Sequence, residues 1–188
     1  TAINQYSIPD LALWLDATDL DGNDAADSVA NGSALPSWTD KSVTPKTVNQ
    51  TSSTEQPVVI SNAIGGKSVV RFDGNGDVLN ISSIRTTTGA YSVYAITQRI
   101  SQSGDTNGHL ASEPTWALIP SSPADSFSAQ VAKNSASSGA SLTNIKLGKS
   151  GSSTTNDFGG DLAELLIFSR QLSSSEEQKV EGYLAHKW

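Results

Sequence analysis

Short apolar alternations set between Ser, Thr, Asn, Asp and Gly run along most of the chain, and this pattern predicts strands joined by polar turns. Leu11, Leu13 and Leu15 alternate with Ala12, Trp14 and Asp16, which reads as a first strand. Gln56–Ile60 and Ser68–Asp73 read as strands separated by Gly65-Gly66. The turn Asp73-Gly74-Asn75-Gly76-Asp77 leads into a further strand through Ile81, giving a meander. Asp73, Asn75 and Asp77 also alternate as metal ligands do, but between two strands a Gly-Asn turn is the better reading. Tyr91–Ile100 predicts a long strand, and Thr115–Ile119, Asp125–Ala132 and Leu142–Leu147 predict three more, the last between Ser/Gly-rich connections. Leu35–Asp40 is a short extended segment that Pro36 places at an edge or strand entrance.

The chain ends differently. Leu162, Ala163, Leu165, Leu166, Ile167 and Phe168 form an apolar run interrupted only by Glu164, the pattern of a central strand covered on both faces. Ser173 and Glu176 then supply the Ser-x-x-Glu spacing of a capping box, so a helix starts there. Val180, Leu184 and Trp188 recur every four residues, with Tyr183 beside them and charged residues opposite. Gly182 costs that helix about 1 kcal/mol relative to alanine, so packing of the stripe has to hold it.

The stretch Gly160–Ser173, followed by Glu181–Trp188, resembles the closing strand and helix of bacterial laminin-G-like domains of the concanavalin A-like lectin/glucanase superfamily. Leu13–Asp19, Trp38–Ser42, Gln56-Pro57 and Val69–Gly74 resemble that family's N-terminal blocks in the same order, while the middle, from about Arg99 to Leu142, matches none of them. The resemblance implies an all-β fold: a concanavalin A-like β-sandwich, two antiparallel sheets with jelly-roll connections and one C-terminal α-helix. It says less about ligand, because the superfamily holds lectins, adhesion modules, spacers and glycosidases.

A length of 188 residues fits one domain over 1–188, long enough to bury a core without staples. The net charge of −7 argues against nucleic acid and anionic membrane as partners and favours cations. The absence of Cys removes thiol catalysis, disulfides and zinc-thiolate sites. No run approaches the ~20 apolar residues of a membrane span. With Thr1 opening the sequence, the expectation is a monomeric module excised from a larger secreted or cell-surface protein, a compartment that leans on the family resemblance.

Two places carry candidate chemistry. Asp19, Asp21, Asn23, Asp24 and Asp27 surround Gly22 within nine residues, and alternation at 19, 21 and 23 presents successive oxygen ligands as a Ca²⁺-enclosing loop does. The glycine comes early and no glutamate closes the loop, so a solvated acidic turn stands beside the calcium reading. Arg99, Gln102, Asp105, Asn107 and His109 lie in the polar stretch outside the family-like blocks, where a rigid sandwich presents a binding loop. They could hydrogen-bond sugar hydroxyls, and Trp116 beside them could supply a stacking face or fill the core. His186 falls near the helix end, where the dipole favours it, and His109 has no partner that sequence can assign to a triad. The Glu-x-Asp-x-x-Glu pattern of the glucanase branch is absent, so the chain is expected not to be an enzyme. Asn31, Asn49 and Asn80 are Asn-x-Ser/Thr sites of the kind that chance produces in so Ser/Thr-rich a chain. The functional expectation is a calcium-dependent carbohydrate-binding or adhesion module. Its rival is a spacer or protein-docking module in which calcium only rigidifies a loop.

Overall fold

In a computed structural model that describes residues 8–100, 111–113, 116–118, 128–134, 140–149 and 157–188, the chain is an all-β sandwich closed by one C-terminal helix. The strands, in chain order, are β1 (Leu11–Asp16), β2 (Val48–Asn49), β3 (Val58–Ile64), β4 (Lys67–Asp73), β5 (Leu79–Ile81), β6 (Arg85–Gly89) and β7 (Tyr91–Arg99). They continue with β8 (Ala111–Glu113), β9 (Trp116–Leu118), β10 (Ser128–Asn134), β11 (Ala140–Leu142), β12 (Ile145–Leu147) and β13 (Gly159–Phe168), before helix α1 (Ser174–Lys187). One sheet has the order β10-β7-β13-β4-β3, with β1 also on β13, and the facing sheet has the order β2-β5-β12-β8-β9. β6 and β11 form a separate pair, and every strand pairing among the described residues is antiparallel.

Three layers follow from where the side chains go. Leu13, Leu15, Val70, Phe72, Val93, Leu162, Leu165 and Ile167 from the first sheet meet Leu79, Ile81, Ile145 and Leu147 from the second in one buried core. On the other face of the first sheet, Trp14, Val69, Tyr94, Ala163, Leu166 and Phe168 bury against Leu172, Val180 and Leu184, so α1 covers that face as the third layer. β13 is therefore apolar nearly throughout because both of its faces are covered.

A register break at Ala163 organises the centre of this sheet. β13 pairs with β4 through Leu162 and with β1 from Glu164 onward, while its ladder with β7 shifts between Leu162 and Glu164. Such a bulge lets neighbouring side chains depart from strict alternation. Ala163 and Glu164 both serve the helix side, and Leu162 and Leu165 both enter the inner core.

Glu164, with no solvent exposure, is the anchor for the helix end. Its Oε1 accepts the Trp14 indole N–H and the Tyr183 hydroxyl, each at 2.7 Å. Its Oε2 accepts Lys187 Nζ at 2.9 Å and the Trp188 indole N–H at 2.6 Å. Burial pushes the Tyr183 hydroxyl far up, and the Glu164 charge beside it adds to the shift, so that phenol stays a donor. At the helix start, Glu176 accepts the Ser173 N–H at 2.9 Å and pairs with both terminal nitrogens of Arg170 at 2.9 and 2.7 Å. Arg170 thereby holds the Glu176 carboxyl well below the usual carboxylate range.

Several sequence expectations need correction. Leu11 lies on the helix side rather than with Leu13 and Leu15, because the ladder to β13 shifts between Leu11 and Leu13. Leu142–Leu147 is two strands, not one: Asn144 takes a φ of 51° and breaks the run between β11 and β12. The expected meander ends after the β3–β4 hairpin, since β5 crosses to the facing sheet. Leu35–Asp40 contributes only an isolated bridge at Ser37, and a second at Ala34 precedes it. Trp188 is only partly buried, and it is held by its indole N–H as well as by packing.

Candidate cation loop and surface cavity

β1 delivers the chain into the acidic loop. Asp16 Oδ1 accepts the Thr18 N–H at 3.0 Å and the Thr18 hydroxyl at 2.7 Å, which turns the chain out of the sheet. Asp19 is buried, and its two oxygens accept the Asn23 and Asp24 backbone N–H groups at 2.9 and 3.0 Å. Asp27 accepts the Leu20 N–H and closes the loop from its far end. Gly22 sits at a φ of +72°, and a Cβ there would come within 2.7 Å of the Thr39 side chain, so this turn requires glycine. The result brings one carboxylate oxygen each from Asp19, Asp21 and Asp27 within 4.8 Å of one another.

The other two residues of the expected ligand set are engaged elsewhere. Asn23 donates its side-chain amide to Asp21 Oδ2 at 2.8 Å and accepts the Ala25 N–H at 2.8 Å, stabilising the turn itself. Asp24, exposed, faces Lys41 Nζ at 3.0 Å. Lys41 is the element that sequence spacing could not show. Its ammonium pairs with Asp19, stands 3.8 Å from Asp16 and lies 4.9 Å from the centre of the Trp14 ring. Burial alone would push Asp19 up, but its hydrogen bond to Lys41 and the charge there hold it below its ordinary value. Burial likewise depresses Lys41, and Asp19, Asp24 and Asp16 outweigh it, so its pKa rises.

These donors fit a hard cation: all are oxygens, and the three converging groups are carboxylates. Asp21 and Asp27 make no ion pair among the described residues, whereas Asp19 shares its charge with Lys41. Beyond the loop the charges continue inward, since Lys187 Nζ stands 2.6 Å from Asp16 and 2.9 Å from Glu164. Acid and base thus alternate from Asp19 through Lys41, Asp16 and Lys187 to Glu164.

A surface cavity of about 330 Å³ opens where β1, the 43–46 segment, the start of β6 and Ser169 meet. Leu11, Val43 and Ile84 provide apolar wall, and Asp10, Thr44, Lys46 and Arg85 provide polar and charged groups. Arg85 donates to the carbonyls of Thr87, Gly89, Ala90 and Ser169, so it is a fixed post in the wall.

The expected sugar-binding stretch is only partly in view. Arg99 closes β7 opposite Gly160, and Trp116 opens β9, hairpin partner of β8. Gln102, Asp105, Asn107 and His109 lie outside the described residues, as does the Trp116 side chain. β8 forms at Ala111–Glu113, where the sequence pattern predicts no strand. His186 is exposed on α1. No helix among the described residues is long and apolar enough to cross a membrane.

No protein-family model matches the chain, and no curated protein matches it in sequence. Its fold is similar to part of a Trypanosoma rangeli sialidase, solved in complex with 2,3-difluorosialic acid as a covalent intermediate. The identity is 12%, the TM-score is 0.51, and the match covers 90% of this chain and 32% of that one. The chain thus spans about a third of the sialidase. An exo-β-1,3-galactanase from Phanerochaete chrysosporium with β-1,3-galactotriose is also similar, at 15% identity and a TM-score of 0.41, over 75% of this chain and 30% of that one. The sialidase likeness overturns the expectation that the chain is not an enzyme. That expectation rested on one missing glucanase pattern, and a sandwich of this shape occurs within a glycoside hydrolase chain that the pattern does not describe.

Proposed function

We propose that this chain is a carbohydrate-binding domain of a secreted or cell-surface protein, and that its acidic loop takes Ca²⁺. The observation that carries the reading is the convergence of Asp19, Asp21 and Asp27 at the end of a strand fixed in the centre of the sandwich. Oxygen-only, multiply acidic donors on a short turn suit calcium, with backbone carbonyls and water completing its six to eight contacts. For the sugar, the support is the fold shared with a sialidase that acts on a sugar, together with a preformed cavity of mixed polar and apolar lining.

Calcium should stabilise the fold by about 2.7 kcal/mol at a hundredfold excess over its dissociation constant. Isothermal titration and thermal unfolding with and without EDTA read this directly. Absence of both binding heat and an EDTA effect removes calcium from the account.

Lys41 favours a second reading, in which the loop is a brace and the domain spaces or docks proteins. Its ammonium already holds Asp19 and Asp24, much as a bound cation would. Replacing it separates the readings: Lys41→Gln tightens calcium binding in the first, and only destabilises the loop in the second.

A further inference from the structure

Two lysines from distant parts of the chain face one oxygen of Asp16. Asp16 Oδ1 is taken by the Thr18 N–H at 3.0 Å and the Thr18 hydroxyl at 2.7 Å, so Oδ2 is the oxygen left for cations. Lys187 Nζ, at the end of α1, stands 2.6 Å from that Oδ2, and Lys41 Nζ stands 3.8 Å from it. Lys41 keeps its distance because its ammonium is paired with Asp19 in the acidic loop. The side chains of Asp16, Asp19 and Lys41 are 6%, 5% and 9% exposed, so water screens their charges weakly and a change at one is felt by the next.

At the other end of this line of charges, Lys187 donates to Glu164 Oε2 at 2.9 Å and lies 4.9 Å from the centre of the Trp188 ring, while the Trp188 indole N–H shares the same Oε2 at 2.6 Å. Lys187 is the last residue of α1 and Trp188 its cap, whose backbone N–H reaches Leu184 O at 3.0 Å. The position of the Lys187 ammonium therefore bears on how firmly the last turn is held. The start of the helix is held separately, by the pair of Arg170 with Glu176 at 2.7 Å.

We propose that the acidic loop controls the docking of the C-terminal turn of α1 through this shared oxygen. While Asp19 holds Lys41, Asp16 Oδ2 belongs to Lys187 and the turn is closed. Once Asp19 is neutralised or drawn to another cation, Lys41 needs a new carboxylate. Asp24 lies at 3.0 Å but its side chain is 86% exposed and screened by water, so the ammonium moves to Asp16, 3.8 Å away and buried. Two ammonium groups on one oxygen repel, so Lys187 is displaced and the turn that carries Trp188 loosens. Lys41 on Asp19 and Lys41 on Asp16 are two discrete arrangements that both ends bias, which is what coupling between distant positions requires. A cation captured by the loop would send the same signal to the helix; that consequence rests on the calcium reading, whereas the switch itself does not.

The test is hydrogen exchange of amide and indole N–H groups, followed by NMR on the whole chain in EDTA so that no metal takes part. Asp19→Asn keeps an acceptor for the loop amides and removes the charge that holds Lys41. It should speed exchange at the Trp188 backbone and indole N–H groups about tenfold, while the first turn of α1, at Glu176 and Glu177, keeps its native rate. Adding Lys41→Gln to that variant removes the displaced ammonium and should return Trp188 to within about twofold of its native rate. Lys187→Gln reads the switch from the other end without altering the loop. Lys41 is then free to approach Asp16, and the amide resonances of Asn23 and Asp24, which donate to Asp19, should shift. Asp21→Asn, outside the line of charges, should leave Trp188 at its native rate. Acceleration confined to residues 18–27, absence of rescue by Lys41→Gln, an equal effect of Asp21→Asn, or loop resonances unmoved in Lys187→Gln each overturns the inference and leaves the calcium and carbohydrate readings standing. Should Asp19→Asn fail to fold, the Lys187→Gln spectrum decides alone.

Discussion

Glu164 shows how one buried carboxylate fixes the relation of helix to sheet. Four donors, from β1, α1 and the residue that caps α1, end on its two oxygens, and its removal leaves the Trp14, Tyr183 and Trp188 donors without this acceptor. Glu164→Gln leaves Lys187 paired with Asp16 but turns an amide N–H toward buried donors, and the expected loss is about 1 to 3 kcal/mol in denaturant unfolding. Asp77 works the other way. Burial pushes its carboxyl up to about 6, the Asp73 N–H opposes this and the Asp73 charge adds to it. The folded chain therefore holds that proton to higher pH than the unfolded chain, whose value is near ~4, and stability falls as pH rises between about 4 and 6. Asp77→Asn keeps an acceptor for the Asp73 N–H, placed at 2.8 Å in the native chain. It should stabilise the protein at pH 8 by about 1 kcal/mol after allowance for solvent screening, and change little at pH 4. Parallel melting curves at the two pH values check the sign.

At the scale of elements, β13 and α1 were legible because their signals are local: an unbroken apolar run, a Ser-x-x-Glu start and a four-residue stripe. Leu184→Ala should cost about 2 to 5 kcal/mol, since Leu184 is fully enclosed between helix and sheet. Trp188→Phe, which keeps much of the packing but deletes the donor to Glu164, should cost less, about 1 to 3 kcal/mol. If Trp188→Phe equals Leu184→Ala in chemical denaturation, the indole hydrogen bond rather than the apolar stripe holds the helix. β6 was not legible, because Arg-Thr-Thr-Thr-Gly carries no apolar alternation and among the described residues it pairs with β11 alone. Nor was the bulge at Ala163, which arises where β13 exchanges β4 for β1 as neighbour. The acidic loop was half legible. Spacing indicated Asp19, Asp21 and Asp27, but Lys41 reaches them from the next loop, and the diversion of Asn23 and Asp24 depends on turn geometry that spacing does not encode. Asp21→Asn with Asp27→Asn should abolish any calcium-dependent rise in melting temperature while leaving the Lys41–Asp19 pair in place.

For the whole molecule, the sequence pattern identified the class of fold, since two sheets and a helix need only short amphipathic strands and one docked stripe. The site was less visible than the fold, because the cavity draws on Asp10, Val43, Lys46, Ile84 and Ser169 among others, positions that meet only where β1, the 43–46 segment, the start of β6 and the residue after β13 come together. The central claim is that this sandwich binds carbohydrate with help from calcium. A glycan array probed with the folded chain in calcium and again in EDTA tests it most directly. The account predicts reproducible binding to a restricted set of glycans, weakened at least severalfold by EDTA and restored by added calcium. Failure to bind any glycan in calcium, by a chain whose circular dichroism shows it folded, contradicts it.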